Sequence, residues 1–361
     1  MSGPLVQLVS KGVQDSKFIS DNLDSSFFKS KHTKHTNFSQ SPKRLDITGR
    51  VAPGSRSQIK ISKQGDLLTY VWLEGADIID YLPGTIFELY IGGQLIDTIT
   101  YEYIADIWNV YLAETSVKAS LINNKVSTTD KNFFPLHFFF CGHGNFLPLV
   151  NLQYHEVEIK VKWGPNMSGM TPKFYANYVY LDTKERLSFV NKDMEMLITQ
   201  VQYEAHHVQN GDAKVDISTL NHPVKALFWG HDTKNQDDAT DYFTFDNMSI
   251  LINGQPLVDQ MSPNYFHTTQ GYYHTTHGNI NFTNSSKTPF YTRYFMYSFS
   301  QNTTKYEPSG ECNFSRIDTA TLNFQNIQRP GARSEDSVYV YALGYNILRI
   351  SEGLGGILFS N

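Results

Sequence analysis

The sequence predicts an all-β chain of two tandem domains, each an eight-stranded double sheet carrying short helical insertions. Three observations carry that prediction. Short runs alternate apolar and polar residues with period two, turn residues punctuate the chain densely, and one stretch is written twice at a fixed spacing. A length of 361 residues exceeds what one ordinary core takes in, so two domains are the starting expectation. With 40% hydrophobic and 18% charged residues, the chain has the composition of a folded protein. Its 14% aromatic content favours strands and large contact surfaces.

Along the chain, Gln58–Ser62 (QIKIS), Tyr154–Trp163 (YHEVEIKVKW) and Ser337–Leu343 (SVYVYAL) alternate as half-buried strands do. Leu67–Leu73 and Ile86–Ile91 are more continuously apolar and suit strands covered on both faces. Turns are signalled at Lys63-Gln-Gly65, Pro83-Gly84, Gly92-Gly93, Asn253-Gly254 and Pro330-Gly331. Helical signal is scarce. Tyr103–Leu112 (YIADIWNVYL) sets Ile104, Ile107, Trp108, Tyr111 and Leu112 on one stripe, and Ser262-Pro263 supplies a start signal at the matching place further on. Residues 183–199 lack Gly and Pro and read as a connector helix. The resulting division is an N-terminal arm over 1–24, a first domain over 25–182, the connector over 183–199 and a second domain over 200–361. Eight-stranded jelly rolls are the common double-sheet form with such insertions.

The repeated stretch is LYIGGQLIDTI at Leu89–Ile99 and ILINGQPLVDQ at Ile250–Gln260. Gly93-Gln94 is matched by Gly254-Gln255, 161 residues on. Asn151 is matched by Asn313 at 162, and Tyr178-Val-Tyr180 by Tyr339-Val-Tyr341 at 161. Landmarks that keep step over so long a span point to an internal duplication.

Several function classes are disfavoured. A net charge of −5 argues against a surface devoted to nucleic acid. Two cysteines, Cys141 and Cys312, cannot make a disulfide framework. Met1–Ser10 lacks the basic start and apolar core of a secretory signal, and no run reaches the ~20 apolar residues of a membrane helix.

Other stretches are specific. Pro308–Leu322 reads PSGECNFSRIDTATL, and Val340–Asn361 reads VYALGYNILRISEGLGGILFSN. Near the start stand Gln7-Leu-Val, Gly12, Gln14-Asp15, Phe27-Phe28-Lys29 and Thr36-Asn37-Phe38, and between the halves Tyr180-Leu-Asp-Thr-Lys-Glu-Arg186. From Gln7 to Asn361 the chain resembles the major capsid proteins of the nucleocytoplasmic large DNA viruses, the algal-virus (phycodnavirus-like) branch above all. The resemblance implies a double jelly roll, a homotrimer of nearly hexagonal outline and an icosahedral virion shell assembled in the host cytoplasm. It implies no enzyme activity, cofactor or metal. Neighbouring capsomers, minor capsid proteins and an internal membrane are the implied partners, with no specific nucleic acid. A minor capsid protein of the same fold is the first alternative; a β-sandwich carbohydrate-binding protein, with Glu195 and Asp237-Asp238 as carboxylates, is the second.

Candidate sites divide into those the sequence favours and those it does not. In FSRID, read as a strand, Arg316 and Asp318 share one face and Ser315 the other, so Ser315 has no base and the Arg–Asp pair reads as structural. The histidines His32, His35, His206, His207, His267, His274 and His277 lack zinc-ligand spacing and read as polar loop residues. Lys29, Lys31, Lys34, Lys43 and Arg44 form the one basic concentration, either an inner-face patch or a solvated loop before the first strand. Of the Asn-x-Ser/Thr sequons, Asn281 and Asn302 are the candidate glycan carriers. The aromatic-dense segments Tyr265–Tyr273 and Tyr291–Phe299 read as core with an excess suited to subunit contacts.

Overall fold

The computed structural model describes residues 36–115, 118, 132–190, 192–231, 243–276, 294–328 and 337–360. The first half carries β1 (Phe38–Leu45), β2 (Ile47–Gly49), β3 (Arg56–Ile61), β4 (Leu67–Glu74), β5 (Ile86–Ile91), β6 (Gln94–Thr100), β7 (Phe133–Leu136), β8 (Leu147–Pro148), β9 (Val157–Lys162) and β10 (Lys173–Leu181). The second carries β11 (Met194–His207), β12 (Gly211–Asp216), β13 (Pro223–Gly230), β14 (Asn247–Ile252), β15 (Gln255–Met261), β16 (Tyr294–Ser298), β17 (Cys312–Asn313), β18 (Ala320–Ile327), β19 (Ser337–Ser351) and β20 (Leu354–Ile357).

These strands form four sheets, and no sheet mixes the halves. In the first half β1-β10-β4-β7 faces β2-β3-β9-β5-β6; in the second β11-β19-β13-β16 faces β12-β18-β14-β15. Exchanging β1 for β11, β10 for β19, β4 for β13 and β7 for β16 maps the first sheet of one half onto that of the other. The second sheets correspond as β3 to β12, β9 to β18, β5 to β14 and β6 to β15. All paired strands are antiparallel, and each half is a jelly roll.

The repeated stretch is a hairpin in both halves. Gly92 and Gly93 take φ of 57° and 83°, and Asn253 and Gly254 take 49° and 74°. Two successive positive φ values make the two-residue turn whose twist matches the flanking strands, and Gly-Gly or Asn-Gly is the chemistry it demands. The same bulge follows: Ile96 is passed over between Leu95↔Tyr90 and Asp97↔Leu89, and Leu257 between Pro256↔Leu251 and Val258↔Ile250. Four residues later the offset becomes 162, because Gln260 adds a left-handed residue at φ 44°.

Tyr103–Leu112 is a helix, wound as a π-helix; Ala113 N donates to Trp108 O at 2.8 Å across five residues. The expected single apolar stripe is not what is buried: every residue except Trp108 is covered, because the helix lies between the two halves. Its counterpart, Tyr265–Thr269, is also π and continues as an α-helix over Gln270–His274.

Four expectations are corrected. The connector helix expected over 183–199 covers only Thr183–Val190, and from Met194 the chain is strand. Fourteen ladder partners on β19 outweigh the helix-forming side chains of that stretch. FSRID is no strand: Phe314–Arg316 is a 3-10 turn, begun by Asn313 Oδ1 accepting from Ser315 N at 3.1 Å. The Tyr178–Tyr339 match is a coincidence of register. Tyr178 lies opposite Leu68 and points into its own sandwich, whereas Tyr339 lies opposite Gly230 and points outward. Trp72 opposite Tyr175 is instead the counterpart of Phe228 opposite Tyr341. An odd shift along a strand exchanges its faces. Asn151 and Asn313 are likewise not equivalent, since Asn313 stands opposite Pro223 as Pro148 stands opposite Leu67.

Candidate functional site at the seam between the two halves

Successive residues of the second half's first sheet enter two different cores. Leu227, Trp229, Phe295, Val340 and Ala342 fill that half's own sandwich. Their neighbours Phe228, Tyr294, Met296, Tyr341 and Leu343 join the core of the first half. Strand alternation thus makes this sheet two-sided, and its outer face is roofed by β6, the π-helix and Phe138–Phe140.

Polar groups fix the register of this seam. Tyr111 OH donates to Tyr294 O at 2.7 Å; having spent its proton, it accepts from His267 Nδ1 at 2.8 Å. Burial lowers the His267 pKa to about 4, so the imidazole is neutral and carries its proton on Nδ1. Thr100 Oγ1 and Tyr341 OH share a hydrogen bond of 3.0 Å, and Tyr103 packs on Tyr341 with ring centroids 6.0 Å apart. Ile96 O, freed by the bulge, accepts from Gln200 Nε2. Beside it, Asp97 Oδ1 accepts from Val201 N at 2.9 Å and Thr98 N at 3.0 Å. Full burial pushes the Asp97 carboxyl up to about 7, against the pull of those two N–H groups. The seam continues through Ile357 N, which donates to Gln94 Oε1 at 3.2 Å.

Among the described residues, the corresponding face of the first half has no roof of this kind. Tyr70, Trp72 and Tyr175 stand on the outer side of β1-β10-β4-β7, with Trp72 stacked on Tyr175 at 5.2 Å and tilted to Tyr70 at 5.7 Å. Trp72 Nε1 donates to Glu74 Oε1 at 2.7 Å. A cavity of about 360 Å³ opens there among Tyr70, Trp72, Glu74, Phe133 and Pro135, and a wider groove of about 960 Å³ runs on past Phe38 and His137 towards Lys225. Lys225 is buried, donates to Lys305 O and is pushed down to about 8 by desolvation.

The residues singled out from sequence are scattered. Lys43 and Arg44 lie on β1 itself, not in a loop before it, and as strand neighbours point to opposite faces; Lys29, Lys31 and Lys34 lie outside the described residues. Asn302 Oδ1 accepts from Thr304 N at 3.1 Å and Thr304 Oγ1 at 2.7 Å; Asn281 lies outside the described residues. Ser315 Oγ accepts from His222 N at 2.8 Å, a turn-fixing bond. His274 Nδ1 lies 2.8 Å from Ser300 O, His206 Nε2 lies 3.2 Å from Glu204, and His32, His35 and His277 are outside the described residues. Glu195 stands across the ladder from Arg349 at 3.9 Å; Asp237 and Asp238 are outside the described residues. Cys141 and Cys312 are separate free thiols. Sequence reasoning missed Asp97, Thr100, Tyr111 and His267 as a set. The only signal was Asp97 inside the repeated stretch, a carboxylate where the pattern asked for an inward-facing side chain.

Comparison with known proteins agrees with this architecture. Residues 185–356 match a family described as large eukaryotic DNA virus major capsid protein, and residues 26–77 and 76–182 match one described as major capsid protein N-terminus. The chain is 31% identical to a major capsid protein of Pyramimonas orientalis virus over 407 residues and 28% identical to that of Paramecium bursaria Chlorella virus 1 over 453, with all of each chain covered. Among solved structures, the quasi-atomic model of the PBCV-1 virus capsid superposes with a TM-score of 0.78 at 24% identity, covering 93% of this chain and 100% of that one. The Faustovirus major capsid protein superposes with 0.66 at 11% identity, covering 94% of both.

Proposed function

Because the chain belongs to the family of large eukaryotic DNA virus major capsid proteins, we propose that three copies close into a capsomer with six similar lobes. The role is structural rather than enzymatic, and its place is the virion capsid. Equal strand order in the two halves is the observation that carries the trimer. Two like sandwiches per chain and three chains per capsomer give a three-fold object the outline of a hexagon, which tiles among six neighbours. Full coverage of relatives named major capsid protein supports the major rather than the minor role. Adjacent capsomers, minor capsid proteins and an internal membrane are the proposed partners, with assembly in the host cytoplasm.

Light scattering on the purified chain tests this reading. The expected mass is three times 41.2 kDa and persists on dilution to micromolar concentration. A stable monomer at that concentration contradicts it.

A further inference from the structure

We infer that the second half's hairpin–helix face, with Leu257, Tyr272 and Tyr273, docks on the bare aromatic face of the first half, with Tyr70, Trp72 and Tyr175, in a second copy of this chain. The inference rests on the trimer reading and names the surfaces that make it.

The argument transfers one interface onto another, position by position. Inside the chain, the first half's hairpin and π-helix cover the second half's sheet. The same hairpin and π-helix recur in the second half; Phe266 and His267 of that helix are buried, but Leu257, Tyr272 and Tyr273 stay exposed among the described residues. Ile96 and Leu257 are both the bulge residue after the turn; Ile96 is 2% exposed and Leu257 44%. Counted from the starts of the paired helices, Tyr111 and Tyr273 are equally far along, 162 residues apart, the second helix passing from π to α at Gln270; Tyr111 is 2% exposed and Tyr273 70%. Tyr272 beside it is 75% exposed, where its counterpart Val110 is buried. Large apolar side chains left bare at the very positions that are buried in the other copy mark a contact not yet made.

The receiving face matches in the same way. Trp72 occupies the ladder position of Phe228, and Tyr175 that of Tyr341. Phe133, at the β7 end opposite Glu74, occupies that of Tyr294, which lies opposite Gly230. Within the chain, the Tyr111 ring lies 5.8 Å from Phe228 and its hydroxyl bonds the Tyr294 carbonyl. Between Trp72 and Phe133, the counterparts of those two residues, the first half has the cavity of about 360 Å³. Among the described residues, the first half's face holds a cavity where the second half's face holds a ring, and the exposed rings of Tyr272 and Tyr273 are surplus. Six lobes related by near-six-fold rotation need six like contacts: three are made within chains and three remain to be made between them. Complementary aromatic anchors at the centre of an interface carry most of its energy.

The test uses the full chain. Tyr273→Asp places a charge in the proposed contact while altering a side chain exposed in the single chain; Tyr154→Asp, at the exposed Tyr154 beside Gly353, is the control. Light scattering and thermal unfolding are read together. The expected result is a threefold fall in mass for Tyr273→Asp, with trimer retained in Tyr154→Asp. A second variant joins Tyr70→Cys with Tyr273→Cys and is treated with a short bismaleimide, the single-cysteine variants controlling for Cys141 and Cys312. A covalent trimer specific to the pair supports the contact even where Tyr273→Asp folds poorly. If the unaltered chain is trimeric, and Tyr273→Asp stays trimeric or the pair fails to cross-link, the docking surfaces are wrong and the trimer reading stands. An unaltered chain that is monomeric overturns the trimer reading instead.

Discussion

The π-helix after the hairpin is made twice, and only one copy is hidden. Tyr103–Leu112 is buried except at Trp108, whereas Gln270–His274, at the matching distance along the chain in the other half, leaves Tyr272 and Tyr273 in solvent. Both copies follow the same turn and bulge and begin as π-helices, the second passing into an α-helix at Gln270. A neighbour decides their burial. The first copy finds a two-sided sheet within its own chain, and the second copy faces outward. The comparison teaches that an interface can be legible in a single chain when the fold supplies a worked example of it.

Four sets of variants break or sharpen that comparison. The largest effect is expected at the two receiving faces. Phe228→Ala empties a fully buried site in the shared core and should cost about 3–5 kcal/mol in denaturant unfolding. Trp72→Ala, at the matching but half-open place, should cost the isolated chain clearly less and weaken trimers instead. Equal costs in unfolding would end the distinction.

Next is the buried carboxyl of Asp97. In the folded chain Asp97 binds its proton up to about pH 7, while an unfolded aspartate releases it near pH 4. The folded state therefore holds more protons between those values, and this group's contribution to stability falls as pH rises, by up to ~1.4 kcal/mol per pH unit. Neutral His267 acts oppositely, because an unfolded histidine takes up protons below about 6.5. The readout is thus the difference between Asp97→Asn and the unaltered chain, which should grow in the variant's favour from about pH 4 to 7 and then level off.

A smaller effect is expected from the tyrosine hydroxyls. Tyr111→Phe leaves the Tyr294 carbonyl and His267 Nδ1 without their bond and should destabilise by about 1–2 kcal/mol. Tyr273→Phe should leave unfolding of the single chain unchanged. The smallest effect is one that should not differ between copies. Gly93→Ala and Gly254→Ala both force a Cβ onto a positive φ with no atom within 4 Å to clash, so each should cost about 1 kcal/mol. Unequal losses there would show that the two turns are not equivalent.

Much of this arrangement was legible in the sequence, for identifiable reasons. Gly93 and Gly254 stand where only glycine suits the turn, so the spacing between them survives as a reliable landmark. Period-two runs located β3, β9 and β19 because one face of each meets an apolar core. The connector was overextended because Glu195, Met196 and Leu197 favour helices in isolation, while their ladder partners on β19 lie some 150 residues away. FSRID misled because one asparagine side chain can turn the backbone where alternation looks intact. The seam was hidden for a different reason. Tyr103, Tyr111, Phe228 and Tyr341 are apolar enough for any core, and nothing local tells a residue which of two cores it enters.

Hydrogen exchange tests the central claim most directly, by following both helical segments through assembly. The account predicts that amides of residues 103–112 exchange slowly whether the chain is dissociated or assembled. It predicts that residues 255–274 exchange quickly in the dissociated chain and become protected on assembly, together with the strand β4 that carries Trp72. Assembly that leaves residues 255–274 as fast as before would contradict it.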